Sequence, residues 1–175
     1  MSNSTQRPFI PVHIAVLTAS DTRTEADDKS GQALVGRLQE AGHILVDKAI
    51  VPDDIYQIRA VVSKWIADPD IQAVITTGGT GVSGRDGSPE AISVLLDKTL
   101  DGFGEMFRVL SYDDIGTSTL QSRTLAGVAN GTYIFVLPGS TGACKLGWEK
   151  LISHQLDYRT RPCNLVEMMP RLLEK

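Results

Sequence analysis

The first apolar run of the sequence, VHIAVLTAS at residues 12–20, most constrains what this chain can fold into. Its residues are almost all apolar and favour strands, which is typical of a strand that is covered on both faces. Two further runs of this kind follow, ILVDKAIV at 44–51 and IQAVITT at 71–77. Amphipathic helical patterns lie between them, at residues 30–43 and 53–69. The alternation predicts an α/β fold, a three-layer sandwich around a mainly parallel sheet.

The second half of the chain adds helices and one antiparallel element. The patterns at 88–99, 103–114 and 141–158 predict helices, and the chain after Pro162 is expected to be irregular or extended. The strand-like runs RTLAGVA and TYIFVLP flank Asn130–Gly131. Because Asn-Gly favours a tight turn, these runs predict a β-hairpin within the sheet.

Length and charge limit the kind of protein that this chain can be. Its 175 residues suit one domain, which we predict at 11–170 after a flexible N-terminal tail at 1–10. The net charge of −4 and the absence of a basic run argue against a nucleic-acid partner. The apolar runs are too short to span a bilayer, so no membrane partner is expected. The unpaired Cys144 and Cys163 are typical of reduced thiols, which predicts a cytoplasmic protein.

The segments that follow the predicted strands carry the polar and glycine residues. They are SDTRTEADDKSG, PDD, TGGTGVSGRDGSPE and PGSTGA. Ligands of parallel sheets gather outside the carboxyl ends of the strands, so acidic residues at three strand ends point to a shared metal–phosphate site. Two of the residues have a simpler alternative, since Ser30 and Asp53 are also placed to cap helices.

The glycine segment after the third strand, TTGGTGVSGRD at 76–86, is the most informative of these. Glycines allow backbone N–H groups to converge on a phosphate, and Thr77 and Thr80 add hydroxyl donors. Asp86 would repel that phosphate unless a cation lies between them, and Mg²⁺ prefers such oxygen ligands. The segment lacks the Gly-Lys-Ser/Thr ending of a Walker A loop and does not fit the dinucleotide fingerprint. The alternative is a flexible turn without a ligand.

The later segment LPGSTGA repeats this arrangement at the start of the last predicted helix. Gly139, Ser140, Thr141 and Gly142 could bind a second anion there. A plain turn with a helix cap explains the same residues equally simply.

The motifs taken together resemble the MoaB/MogA family of molybdenum cofactor biosynthesis. The resemblance rests on VITTGGTGVSGRDGSPEA, on DKSG before it, and on GFGE and LPGS after it, and extends over roughly residues 10–165. Stretches such as EAGH, GTSTLQSR and TRPCN are similar to the MoaB branch. The resemblance implies a three-layer α/β fold, one molybdopterin-binding domain and assembly as a homotrimer or homohexamer.

The resemblance also implies an activity and a site. Active relatives use Mg-ATP to adenylylate molybdopterin, so Mg²⁺ is the expected cofactor, ATP the co-substrate, and molybdopterin and nucleotide the partners. The essential aspartates of the family fall on Asp53 and Asp86, which are expected to be catalytic and to hold the metal. The expected substrate-binding residues are Ser20, Asp21, Asp28, Ser30, Thr77, Gly78, Gly79, Thr80, Gly81, Glu105, Pro138, Gly139 and Ser140. The alternative function is a non-catalytic molybdopterin carrier or scaffold of the same pathway.

Overall fold

In a computed structural model that describes residues 7–174, the chain forms one six-stranded sheet between two helical layers. The strands are β1 (His13–Ala19), β2 (Ile44–Val51), β3 (Ala73–Thr77), β4 (Lys98–Thr99), β5 (Leu125–Ala129) and β6 (Thr132–Leu137). Their spatial order is β2-β1-β3-β6-β5-β4. The first four in this order are parallel, whereas β5 runs antiparallel to both β6 and β4. The mainly parallel sheet with a hairpin that the sequence predicts is confirmed.

The helices are more numerous than the sequence patterns indicate, and the predicted ones, except that at Asp101–Ile115, are shorter than expected. They are α1 (Lys29–Glu40), α2 (Ile55–Ile66), α3 (Ser88–Ser93), α4 (Asp101–Ile115), α5 (Thr141–Gly147), α6 (Ser153–Gln155) and α7 (Leu165–Met168). Two 3₁₀ turns lie at Gly116–Gln121 and Met169–Arg171, and a π-helical turn at Trp148–Ile152 joins α5 to α6.

Alternate residues of β1 enter opposite cores, which explains why the first run is apolar throughout. Ile14 and Val16 pack in one core with α1, α4 and α5. Ala15 and Leu17 pack in the other core with α2 and α3. Each of these four side chains is fully buried. The strand is therefore covered on both faces, as the three-layer prediction requires.

Three sequence expectations about helices are wrong. The helix predicted at 88–99 ends at Ser93, because the backbone of residues 97–100 pairs with β5 and forms β4. The helix predicted at 141–158 is interrupted by the π-helical turn and ends at Gln155. The chain after Pro162 contains α7, whose first turn is capped when Asn164 accepts a hydrogen bond from the Glu167 amide.

The N-terminal segment packs against the domain as far as it is described. The guanidinium of Arg7 donates two hydrogen bonds to the Glu167 carboxylate. The ring of Phe9 lies 5.2 Å from that of His43 and below the guanidinium of Arg159. Arg7 and Phe9 thus contact the folded domain, and residues 1–6, the greater part of the expected flexible tail, lie outside the described part. Within 7–174 no helix is long and apolar enough to cross a membrane.

His43 makes stability depend on pH in the acid range. Its Nδ1 accepts a hydrogen bond of 3.1 Å from the Val12 amide at the start of β1, and its ring meets that of Trp148 edge-on. Burial lowers the pKa of His43 below its ordinary value of 6.5, although the charge of Asp157 opposes this shift. The unfolded chain therefore binds the proton more readily, and stability falls as the pH drops through 6.5 towards the lowered pKa.

We expect the free energy of unfolding of the wild type to decrease between about pH 7.5 and about pH 5.5 in urea titrations. In His43→Gln this part of the pH dependence should be missing. His154→Gln is the matched control, because His154 is exposed on α6 and should leave the slope unchanged. An unaltered slope in His43→Gln would contradict the assignment.

Candidate functional site

The carboxyl ends of three of the four parallel strands, β1, β3 and β6, line one pocket. Because β2, β1, β3 and β6 point the same way, the segments that follow them emerge at one edge of the sheet. A cavity of about 270 Å³ lies there. Its lining residues are Thr18, Ala19, Ser20, Thr22, Arg23, Asp28, Ser30, Thr77, Gly78, Gly79 and Gly139. The structure thus brings together seven of the residues that the sequence singled out.

The floor of this pocket is backbone that only glycine can form. Gly78 has φ +98°, and a Cβ added to it would lie 2.1 Å from the carbonyl oxygen of Ala19. A Cβ on Gly139 would lie 3.2 Å from the Cα of Gly78. The ends of β1, β3 and β6 therefore approach one another more closely than side chains would allow.

Asp28 lines the pocket, but its carboxylate makes hydrogen bonds and an ion pair that stabilise the fold. It caps α1 by accepting a hydrogen bond from the Gly31 amide, so the cap is Asp28 and not Ser30. It also accepts from the Thr18 hydroxyl and pairs with the Lys48 ammonium at 3.0 Å. A buried carboxylate needs such partners, and this one ties the loop after β1 to β1 itself and to β2.

The hydroxyl residues around the PGS turn also hold the framework. Ser30 Oγ donates to the carbonyl of Gly139 at 2.8 Å, and Thr77 Oγ1 donates to that of Pro138 at 2.9 Å. Ser140 Oγ accepts from a backbone N–H in the first turn of α5, so it acts as the helix cap. Pro138 and Ser140 do not line the cavity. The helix cap of the simpler alternative is therefore present, and anion binding at this turn stays a prediction.

Asp53 and Asp21 join the loops that follow β2 and β1. The Asp21 amide donates to Asp53 Oδ2 at 3.2 Å, and the Asp53 amide donates to Asp21 Oδ1 at 3.0 Å. Asp53 does not cap α2. The capping residue is Asp54, which accepts hydrogen bonds from the Tyr56 and Gln57 amides. The side chain of Asp53 therefore has no role as a helix cap.

One oxygen of Asp53 is buried and has no hydrogen-bond partner. This atom, Oδ1, lies beside the glycine turn, since a Cβ on Gly79 would be 3.0 Å from it. The Ser88 hydroxyl is buried and unpartnered in the same place, 2.5 Å from that Cβ position. Ser88 does not cap α3, because Gly87 holds the N-cap position and Ser88 makes no capping bond. Unsatisfied buried oxygens are rare in folded proteins, and a bound ion is one of the explanations for two that lie together.

The electrostatics single out the same carboxylate. Burial raises the pKa of Asp53, and the negative charges of Asp21 and Asp86 raise it further. The pKa of Asp21 is lowered, chiefly by hydrogen bonds from Arg85. A bound cation stabilises the charged form of a carboxylate such as Asp53, because it offsets the repulsion from the neighbouring acidic groups.

Asp86 lies at the opposite end of the glycine segment and is folded back onto it. Its Oδ2 accepts hydrogen bonds from the amide of Ser83 at 2.9 Å and from the Ser83 hydroxyl at 2.5 Å. The hydroxyl bond is the main reason why the pKa of Asp86 is lowered, and the Gly81 amide contributes to the same shift. Asp86 therefore shapes its own loop, in addition to any contact with a metal.

These residues fit a magnesium ion that is shared with phosphates. Within 7–174 no three His, Cys, Asp or Glu side chains are grouped to hold a metal by themselves. Asp53 offers the free Oδ1 atom, and Asp86 supplies a second carboxylate near enough to raise the pKa of Asp53. One or two carboxylates with substrate phosphates and water are the usual ligands of Mg²⁺.

Two arginines at the site were not among the expected site residues, although both lie in stretches that carry the family resemblance, VITTGGTGVSGRDGSPEA and GTSTLQSR. Arg85 donates to both oxygens of Asp21, at 2.9 and 2.6 Å, and so bridges the glycine segment to the loop after β1. Arg123, which precedes β5, donates to the backbone carbonyls of Thr80 and Gly81. Membership of these stretches does not show which groups an arginine contacts, so the sequence pattern does not predict these hydrogen bonds.

Glu105 is not brought into the glycine pocket. It is exposed on α4 and lines a separate cavity of about 270 Å³ that it shares with Asp101, Arg108 and Thr124. The two cavities have no lining residue in common. The resemblance placed Glu105 among the substrate-binding residues, and the structure keeps it apart from the others.

Comparisons with known proteins agree with this fold. Residues 15–158 match the MoCF_biosynth family, described as "Probable molybdopterin binding domain". Molybdenum cofactor biosynthesis protein B of Escherichia coli (strain K12) is 59% identical over 156 residues, which cover 89% of this chain and 92% of that protein. A crystal structure of a Molybdenum cofactor biosynthesis protein B superposes with a TM-score of 0.83 at 44% identity, covering 86% of this chain and 94% of that one. The tungsten cofactor synthesizing protein MoaB from Pyrococcus furiosus superposes with a TM-score of 0.75 at 37% identity, covering 82% and 92%.

Proposed function

The chain belongs to the MoCF_biosynth family of molybdopterin-binding domains, and from that premise we propose that it adenylylates molybdopterin with Mg-ATP. Its place in molybdenum cofactor biosynthesis and molybdopterin as its partner rest on family membership. The nucleotide, the metal ion and the transfer reaction are our proposal. One observation carries it: the buried, unpartnered oxygen of Asp53 beside a glycine turn, where four parallel strands end.

In the proposed reaction a phosphate oxygen of molybdopterin attacks the α-phosphorus of ATP. A new P–O bond forms, the bond to the β-phosphate bridging oxygen breaks, and pyrophosphate leaves with the electron pair. Little covalent work falls to the protein in such transfers, so rate enhancement depends on position and on charge.

The residues of the chain have distinct tasks in this scheme. Gly78 and Gly79 form a floor without side chains, on which a phosphate can approach the backbone. Ser20 and Arg23 line the wall of the pocket and can donate to phosphate oxygens. Asp53 and Asp86 would hold Mg²⁺, which neutralises developing charge on phosphates when it is bound. Ser88 lies next to Asp53 and can complete the polar surroundings of the ion.

We also propose that the chain assembles as a homotrimer or homohexamer. Support comes from α4 and the turn that follows it, which expose Met106, Val109, Tyr112 and Leu120, each more than half accessible. Contiguous exposed apolar side chains of this size are typical of protein contacts.

The direct test is to incubate the purified chain with molybdopterin and Mg-ATP and to measure pyrophosphate together with adenylylated molybdopterin. We expect equal amounts of both products, and none when molybdopterin is left out or when magnesium is removed with EDTA. Molybdopterin binding in calorimetry without any pyrophosphate would overturn the transfer reaction and favour the carrier function. Binding of neither molybdopterin nor ATP would overturn the assignment of the pocket.

A further inference from the structure

Arg123 holds the glycine segment by its backbone. Nε lies 2.8 Å from the carbonyl oxygen of Gly81 and 3.3 Å from that of Thr80, and one terminal nitrogen lies 3.1 Å from that of Asp86. The other terminal nitrogen donates to the Glu90 carboxylate in the first turn of α3. One side chain thus binds both ends of the segment and the helix that follows it.

These contacts dictate the direction of the amides. In a planar trans peptide the N–H points away from the C=O of the same unit. Since the carbonyls of Thr80 and Gly81 face Arg123, the N–H groups of Gly81 and Val82 point away from the guanidinium. The carboxylate of Asp86 lies on that other side, against Gly81 and Ser83. The segment is therefore fixed from one side by a cation on its carbonyls and from the other by an anion on its amides.

We propose that Arg123 is a positioning residue for the adenylyl transfer: it sets the direction of the amides of the glycine segment and the place of Asp86. This role rests on the proposed function, because Arg123 acts through the segment and touches no reacting atom. Residues 78–87 belong to no helix or strand and have few backbone bonds of their own, so the side-chain bonds of Arg123, Asp86 and Arg85 define the shape of the segment.

Lysine cannot replace arginine in this arrangement. The planar guanidinium offers five N–H donors in a fixed fork, whereas an ammonium is a single point with three donors. Here the fork serves four acceptors at once, on Thr80, Gly81, Asp86 and Glu90. Arg123→Lys therefore keeps the positive charge but loses the planar set of hydrogen-bond donors. The variant separates the effect of positioning the segment from the effect of the charge.

Arg59 provides a matched control that also binds α3. Its guanidinium also binds backbone carbonyls, those of Glu90 and Ala91, but it makes no bond to the glycine segment. Arg59→Lys and Arg123→Lys should therefore disturb α3 to a similar degree, and only the second should disturb the segment.

The experiment measures kcat and KM for ATP in pyrophosphate release, together with hydrogen exchange of the amides of residues 78–87. We expect Arg123→Lys to lower kcat about 100-fold, with KM for ATP changing less than about threefold. Misplacement of the glycine segment should lower the rate of transfer more than the affinity for ATP. Exchange in the segment should become faster. Arg59→Lys should stay within about twofold of wild type in both measurements. Methylguanidinium should restore part of kcat to Arg123→Ala at a temperature at which this variant is folded.

Wild-type kcat in Arg123→Lys, with unchanged exchange in the segment, would overturn the role of Arg123. If the wild type itself releases no pyrophosphate, the proposed function fails and with it the role of Arg123 in transfer, and hydrogen exchange then decides only whether Arg123 fixes the glycine segment. Faster exchange at 78–87 in Arg123→Lys than in Arg59→Lys supports this structural role, and equal exchange in the two variants overturns it.

Discussion

Replacing Asp53 by asparagine is expected to lower the rate of AMP transfer about 100- to 1,000-fold without unfolding the protein. The asparagine side chain has nearly the same shape, and its oxygen can still accept the hydrogen bond of the Asp21 amide. It lacks the negative charge that Oδ1 offers to a cation beside Gly79. Pyrophosphate release under saturating Mg-ATP and molybdopterin, with circular dichroism to verify folding, measures the effect.

The adjacent residue Asp54 provides a control substitution of the same type. Asp54 caps α2, and asparagine is as good an N-cap as aspartate, so Asp54→Asn should leave both stability and transfer unchanged. Asp54→Ala should cost about 1 kcal/mol of stability and still leave the transfer rate unchanged. Comparable transfer in Asp53→Asn and Asp54→Asn would refute the role of Asp53 in charge stabilisation. Asp86 is a less specific test, because its carboxylate also shapes the loop.

Gly78→Ala is expected to destabilise the protein by about 3 kcal/mol or more, a large share of the 5–15 kcal/mol of a typical domain. The backbone at φ +98° is unfavourable for any residue with a Cβ, and the new methyl group would lie 2.1 Å from the Ala19 carbonyl oxygen. That oxygen belongs to the end of β1 and cannot rotate away as a side chain would. Urea titrations followed by fluorescence give the free energy of unfolding.

Gly36→Ala is the control for this substitution. Gly36 lies within α1, where an added Cβ meets no atom within 4 Å. We expect a gain of about 0.5–1 kcal/mol, since alanine favours a helix more than glycine does. A Gly78→Ala variant as stable as the wild type would mean that β1 and β3 do not approach each other as closely as the structure has them.

The fold could be predicted because its strongest signals are local. The apolar β1 run requires two covering layers, and Asn130–Gly131 adopts the positive φ angles of a tight hairpin turn. The errors fall where tertiary pairing overrides local preference. Residues 98–99 continue a helical pattern, yet they pair with β5 because that strand edge would otherwise lack backbone partners.

The site could be predicted only in part, for a similar reason. The rule that ligands gather at the carboxyl ends of parallel strands, together with the family resemblance, predicted the glycines and Asp53. The position of Asp53 follows from the strand order of the sheet. Whether a polar residue caps a helix or faces a ligand depends on side-chain direction, which a one-dimensional pattern does not contain. Asp28 and Ser140 turned out to be caps, whereas Asp53 and Ser88 did not. Arg123 binds residues some forty positions earlier in the chain, which no local spacing reveals.

The place of β6 in the sheet has a consequence for biosynthesis on the ribosome. This strand is the last to be translated, yet it lies between β3 and β5 in the middle of the sheet. A nascent chain that ends before residue 132 therefore has β3 as an open edge and lacks the Gly139 wall of the cavity. The sheet and the cavity can therefore form only when translation is nearly complete. Until then the exposed edge of β3 is a surface to which chaperones can bind.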